Sequence, residues 1–173
     1  PDGTTALAGQ VLRLNGTPLA GVALELDGHE VRSDRSGRFL LTLDGLATGR
    51  HVLEINGATA NTGGRTYGFF EAGVPIVAGK TTGLPFTIWM PAIDTAHTVT
   101  IPSPTTQDTI VTTPYIPGLE LHLAPGTLIR DEDGHRVTQV SITPIPVDRT
   151  PFPLPAGVEV PIYFTIQPGG AYV

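Results

Sequence analysis

The sequence predicts an all-β protein of two tandem β-sandwich domains of immunoglobulin-like or transthyretin-like type. Three observations predict it. Apolar residues alternate with polar ones in short runs: Val22, Leu24 and Leu26 against Ala23, Glu25 and Asp27, then Phe39, Leu41 and Leu43. That period of two is the pattern of a strand with one buried face. Turn dipeptides separate the runs, and the chain carries 21 Gly and 17 Pro in 173 residues. No window shows a sustained 3.6-residue apolar period, so long amphipathic helices are not expected.

The first domain is expected over residues 1–91. Its first strand spans Ala6–Leu14 and turns at Asn15-Gly16. A hairpin follows at Asp27-Gly28, a dipeptide suited to the two positive φ angles of a type I′ turn. Asp34-Arg35-Ser36-Gly37 makes the next reversal. Gly49–Ile55 is a strand ending at Asn56-Gly57, and a small-residue loop, 58–65, leads to an aromatic strand, 67–71. Lys80–Gly83 reads as a turn, and Leu84–Met90 as the returning strand that carries Trp89.

Residues 92–108 are expected to be an extended linker, with one short strand around Val99–Ile101; the stretch 91–106 carries three prolines and almost no large apolar side chain. The second domain is expected over 109–173. Leu119, Leu121 and Leu123 alternate with Glu120 and His122, and Val140 and Ile142 are expected inward with Ser141 and Thr143 outward. The run 144–155 holds five prolines and reads as a rigid edge or crossing segment. Val158, Val160, Ile162, Phe164 and Ile166 form the longest alternation and predict a strand. With Gly169-Gly170 so close to Val173, this second domain is expected to be incomplete, its last residues lying at an open sheet edge or pairing with another segment.

Composition excludes several function classes. The net charge is −6 and Lys80 is the one lysine among ten basic residues, so no basic face is expected for nucleic acid. No apolar run approaches the ~20 residues of a membrane helix, and no membrane insertion is expected. Cysteine is absent, which removes disulfides and thiolate metal sites. The chain starts at Pro1 without a recognisable signal peptide and reads as a piece of a longer protein.

No residue set predicts catalysis, and no cofactor is expected. Asp131-Glu132-Asp133-Gly134 has the spaced carboxylates of a calcium loop, but Val137-Thr138-Gln139 stands where a bidentate Glu is needed; a solvated turn is the expectation. The five histidines (His29, His51, His97, His122, His135) never stand at i, i+4 spacing, and no metal site is expected. The four serines, Ser33, Ser36, Ser103 and Ser141, lie in no G-x-S-x-G elbow. Lys80 has the choice between an exposed turn and a buried crosslink to Asn; its Gly-Lys-Thr-Thr-Gly context favours the turn. Tyr67 and Trp89 are the candidate binding residues, as a stacking platform for a glycan; core packing of the aromatics is the competing expectation. Trp89 is the better candidate, since Phe86, Ile88 and Met90 claim the other face.

Gly9-Gln10-Val11, then GTPLAG (16–21), then SDRSGRF (33–39) resembles the carboxypeptidase regulatory-like family. The resemblance covers residues 5–55 and, more loosely, 56–91, and implies a transthyretin-like seven-stranded sandwich serving as a non-catalytic accessory module of exported proteins. Residues 116–173 are similar to a ZU5-like β domain at Pro117-Gly118-Leu119, at His122-Leu123-Ala124-Pro125-Gly126-Thr127 and at Pro168-Gly169-Gly170. Residues 140–173 also resemble the segment ahead of the repeats in bacterial RHS/YD-repeat proteins, large exported proteins that are often polymorphic toxins. That resemblance implies a secreted or cell-surface location in a bacterium and a plug-like role. The partner would then be the remainder of the same polypeptide, its YD-repeat β shell. No YD repeat occurs in this chain, and the His-Phe-Ser tripeptide at which some ZU5 domains self-cleave is absent. The alternative expectation is an adhesin module that binds a glycan or a surface.

Overall fold

The computed structural model describes residues 3–131 and 133–173. The fold is all-β and sandwich-type, with no α-helix among the described residues. The chain divides into two compact units. One comprises Pro1–Pro91 together with Arg149–Val158; the other comprises Ala92–Asp148 together with Glu159–Val173.

In the first unit β1 (Ala6–Arg13) is the centre of one sheet. It pairs antiparallel with β4 (Arg38–Thr42), and on its other side runs parallel with β7 (Thr81–Gly83) and then β8 (Ile88–Met90). The second sheet has the order β3 (His29–Arg32), β2 (Ala23–Leu26), β5 (Gly49–Asn56), β6 (Phe69–Ile76), all antiparallel. Leu7, Val11 and Leu41 of the first sheet, and Leu24, Leu26, Leu53, Ile55 and Val74 of the second, are fully buried. The alternations at 22–26 and 39–43 therefore face the core as expected.

The turns also follow the sequence. Asp27 (φ 47°) and Gly28 (φ 81°) connect β2 to β3, with Leu26 paired to His29. This is the two-residue turn whose twist matches that of the flanking strands. Pro75 lies within β6, opposite Arg50, and β6 is an edge strand, a setting in which a proline need cost no ladder hydrogen bond. Ala23, expected on the wet face, is buried. A 3₁₀ turn at Gly57–Ala60 packs against β2, and Thr59 accepts the Ala23 N–H at 2.9 Å.

Two expectations for this unit are corrected. Thr81–Gly83, read as turn, is strand β7 along β1; the turn lies one step earlier, where Lys80 N–H bonds the Val77 carbonyl. The returning strand is also shorter than Leu84–Met90. Residues 84–87 leave the ladder between the Ala8–Gly83 and Val11–Ile88 pairs, and only Ile88–Met90 runs along β1. Parallel pairing to a strand far away in the chain leaves no local trace in sequence.

In the second unit β10 (Thr109–Thr112) pairs with β11 (Glu120–Leu123), and a three-stranded sheet has the order β13 (Tyr163–Gln167), β12 (Gln139–Ile145), β9 (Val99–Thr100). The core is Ile101, Val111, Leu123, Val137, Val140 and Ile142, with Leu119, Leu121 and Phe164 against it. Residues 92–108, expected as a linker, belong to this unit: β9 pairs with β12, and Ile101 and Thr105 are buried.

That placement explains a further correction. Ser141 and Thr143, expected outward, are 4% and 5% exposed. The stretch before β9 comes up to their side of β12, and the Asp94 N–H donates to Thr143 Oγ1 at 2.8 Å. Pro144 still fits in β12, opposite Phe164, because β9 pairs with Gln139 and Val140 alone.

The long alternation from Val158 to Ile166 yields a strand only from Tyr163 onward, with Val158, Ile162 and Ile166 between 40% and 50% exposed. In β13 the residues Tyr163, Phe164 and Thr165 are all partly exposed, so neither face of the strand is covered along its length. Past it, Tyr172 pairs with Arg130 through two 2.9 Å backbone hydrogen bonds.

Candidate functional site

Tyr67 is a core residue. It is 3% exposed, its N–H donates to Asn61 Oδ1 at 2.8 Å, and its hydroxyl accepts from Arg13 Nε at 3.1 Å. A buried tyrosine whose hydroxyl has a partner is satisfied where it stands, so Tyr67 offers no face for stacking on a ligand. Trp89 is placed differently. Its neighbours Ile88 and Met90 are fully buried, which turns the indole to the opposite, half-exposed side of β8. There the Arg149 guanidinium carbon stands 5.4 Å from the ring centroid, and the same guanidinium donates to the Leu14 carbonyl. The structure thus does not join Tyr67 and Trp89 in one platform. It joins Trp89 to a residue of the proline-rich run.

Each unit has a cleft. In the first, the excursion of residues 84–87 from β1 opens a shallow space of about 580 Å³ with Gly9, Gln10, Arg38 and Phe86 on its walls. A Cβ on Gly9 would lie 2.7 Å from the Phe39 ring and 2.9 Å from Leu84, so the floor is built on that glycine. In the second, a cleft of about 410 Å³ is lined by Tyr115, Pro117, Pro146, Val147, Ile162 and Tyr163 among others, none of them charged. Tyr115 and Ile162 are at least half exposed. Burial raises the Tyr163 phenol above its ordinary pKa. This apolar surface was hidden in the sequence because Ile162 belongs to an alternation that reads as buried.

Four of the five histidines stand beside carboxylates. His51 Nδ1 lies 2.8 Å from the Asp27 carboxylate and its Nε2 3.1 Å from the Ala47 carbonyl. His97 pairs with Asp94 at 2.8 Å, and His135 with Asp131 at 3.5 Å. His122 lies 2.9 Å from Glu120 and 3.4 Å from Asp108; hydrogen bonding to Glu120, then to Asp108, raises its pKa. Among the described residues no group of three or more His, Asp and Glu is arranged to hold a metal ion.

The acidic turn is a side-chain-closed reversal. Asp131 Oδ1 accepts the N–H groups of Asp133 (3.1 Å) and His135 (2.8 Å), and Gly134 N–H bonds the Asp131 carbonyl. Glu132 lies outside the described residues. Asp34 acts in the same way. Its Oδ1 accepts from Ser36 Oγ (2.7 Å), Ser36 N (2.8 Å) and Arg38 N (2.9 Å). These bonds, the Ser36 hydroxyl first, hold its carboxyl below the usual range.

Ser33 is buried, donating to the Leu19 carbonyl at 2.8 Å and accepting the Val22 N–H at 3.0 Å, a structural role. Lys80 is exposed. No helix among the described residues is long and apolar enough to cross a membrane.

No family model and no curated protein matches the chain.

Proposed function

We propose that this chain is a non-catalytic structural region of a large exported bacterial protein of the RHS/YD-repeat, polymorphic toxin-like kind, where it seals or positions the repeat-built β shell. The observation that carries the reading is the uncharged surface of the second unit, where Tyr115, Val147 and Ile162 stand exposed around one cleft. Contiguous apolar surface of this sort is what a packing partner covers. The remainder of the same polypeptide is the partner that the sequence resemblance of residues 140–173 supplies. The side chains that could have carried chemistry are instead spent on turns and hairpins: Asp34 and Asp131 close reversals, and Ser33 ties Leu19 to Val22.

The test is the coding sequence that follows Val173. YD repeats are expected there. A cell-wall anchor with no repeats would overturn the proposal.

A further inference from the structure

Residues 149–158 are remote in sequence from the first ninety-one, yet they belong to the same compact unit. The segment is Arg-Thr-Pro-Phe-Pro-Leu-Pro-Ala-Gly-Val, with prolines at 151, 153 and 155. Proline fixes φ, so most of the entropy of ordering such a strap is lost before it docks. Thr150 and Pro151 are buried, the Thr150 hydroxyl bonds the Phe152 carbonyl, and a turn from Pro155 to Val158 ends the segment. Its leading residue makes two contacts of different kinds. The Arg149 guanidinium lies over the Trp89 ring, and it donates to the carbonyl of Leu14. Leu14 follows the last rung of the β1–β8 ladder, the Arg13–Met90 pair, so its carbonyl lies where no strand continues to bond it. A planar guanidinium can cover an aromatic face and aim an N–H at a carbonyl together; few other side chains can.

We propose that the Leu14–Trp89 surface is a recognition site for a proline-rich segment led by arginine, and that residues 149–158 of this chain are its resident occupant. The site reads two things: a cation that fits the indole face and a chain stiff enough to lie along the unit at small entropic cost. A segment of the same chemistry added in trans can therefore take the place of a weakened resident strap. This inference is independent of the reading of the chain as part of a repeat-built shell.

Trp89 is the one tryptophan of the chain, so its fluorescence reports the site directly. In the full chain carrying Arg149→Gln, the emission shifts to longer wavelength and acrylamide quenches it more strongly, with the far-ultraviolet circular dichroism of the parent retained. A synthetic peptide of residues 148–158, titrated into that variant, restores the parent emission saturably. The same peptide with Gln in place of Arg binds about 5- to 10-fold more weakly, as expected for loss of one cation–π contact. Unchanged emission and quenching in Arg149→Gln would overturn the docking, and so would a peptide that produces no saturable change. Equal binding of the two peptides would overturn the reading of arginine. If Arg149→Gln does not fold, Arg149→Lys keeps the cation but loses the planar fork. Quenching stronger than in the parent is then expected, and quenching identical to the parent overturns the proposal.

Discussion

Gly37 shows how much of this fold rests on single residues. It closes the Asp34–Gly37 turn at φ 72°, and its carbonyl accepts the Val11 N–H of β1 at 2.7 Å. A Cβ there would stand 2.3 Å from the Val11 carbonyl oxygen, backbone that cannot move without breaking the strand. Gly28 has a similar φ of 81° but nothing within 4 Å of its missing Cβ. Chemical denaturation should therefore separate the two. Gly28→Ala pays the left-handed conformation alone, about 1–2 kcal/mol. Gly37→Ala adds a backbone clash and is expected to lose about 3 kcal/mol or more. Equal losses would mean that β1 does not press on the turn as described. Both turns were legible in the sequence, because Asp27-Gly28 and Asp34–Gly37 are short-range signals whose chemistry is complete within four residues. That Gly37 is also a contact point for β1 was not legible, since the contact joins residues far apart in the chain.

At the scale of elements, legibility follows the number of covered faces. Strands buried on one side, such as β4, announce themselves by alternation. β12 does not: Ser141 and Thr143 are buried as well as Val140 and Ile142, and their polarity signals a wet face that the stretch around Asp94 in fact meets. The β10–β11 hairpin, in contrast, has the simple pattern, and its wet face carries His122, whose pKa is raised. His122 lies between Glu120, its neighbour two positions back on β11, and Asp108, next to the start of β10. Both partners are acceptors, so the protonated ring is the form that donates to both. A folded-state pKa above the unfolded one contributes stability that is complete below the unfolded value, about 6.5. That contribution fades as pH rises through the higher folded value. The expected result is an NMR titration of His122 with its midpoint above 6.5. Glu120→Gln should lower the midpoint more than Asp108→Asn, because the Glu120 hydrogen bond is the larger cause. Salt should shrink the shift, as the pair is exposed. A midpoint at or below the ordinary value would show that the two carboxylates do not hold the ring.

For the whole molecule, the strands divide in chain order, β1–β8 in the first unit and β9–β13 in the second, but the chain itself does not. The chain leaves the first unit after Pro91, returns to it at Arg149 and leaves it again after Val158. Alternation and turn signals carry no information about such a return, because nothing local to residues 149–158 names Trp89 as a neighbour. The same limit hid the cleft of the second unit, where Val147, Ile162 and Tyr115 are exposed although their type suggests burial. If that surface exists to be covered by the rest of a longer polypeptide, its apolar side chains contribute little to the fold of the chain alone. Val147→Lys and Ile162→Lys together are then expected to leave the unfolding free energy within about 0.5 kcal/mol per site, the range for exposed positions. A dye that fluoresces on apolar surface should bind the parent and bind the double variant several-fold less. Core positions behave in the opposite way: Ile142→Ala, at 2% exposure, should cost about 2–5 kcal/mol and leave dye binding to the folded state unchanged. A double lysine variant as damaged as Ile142→Ala would place Val147 and Ile162 in the core of this unit, and the case for an apolar surface awaiting a covering segment would fall with it.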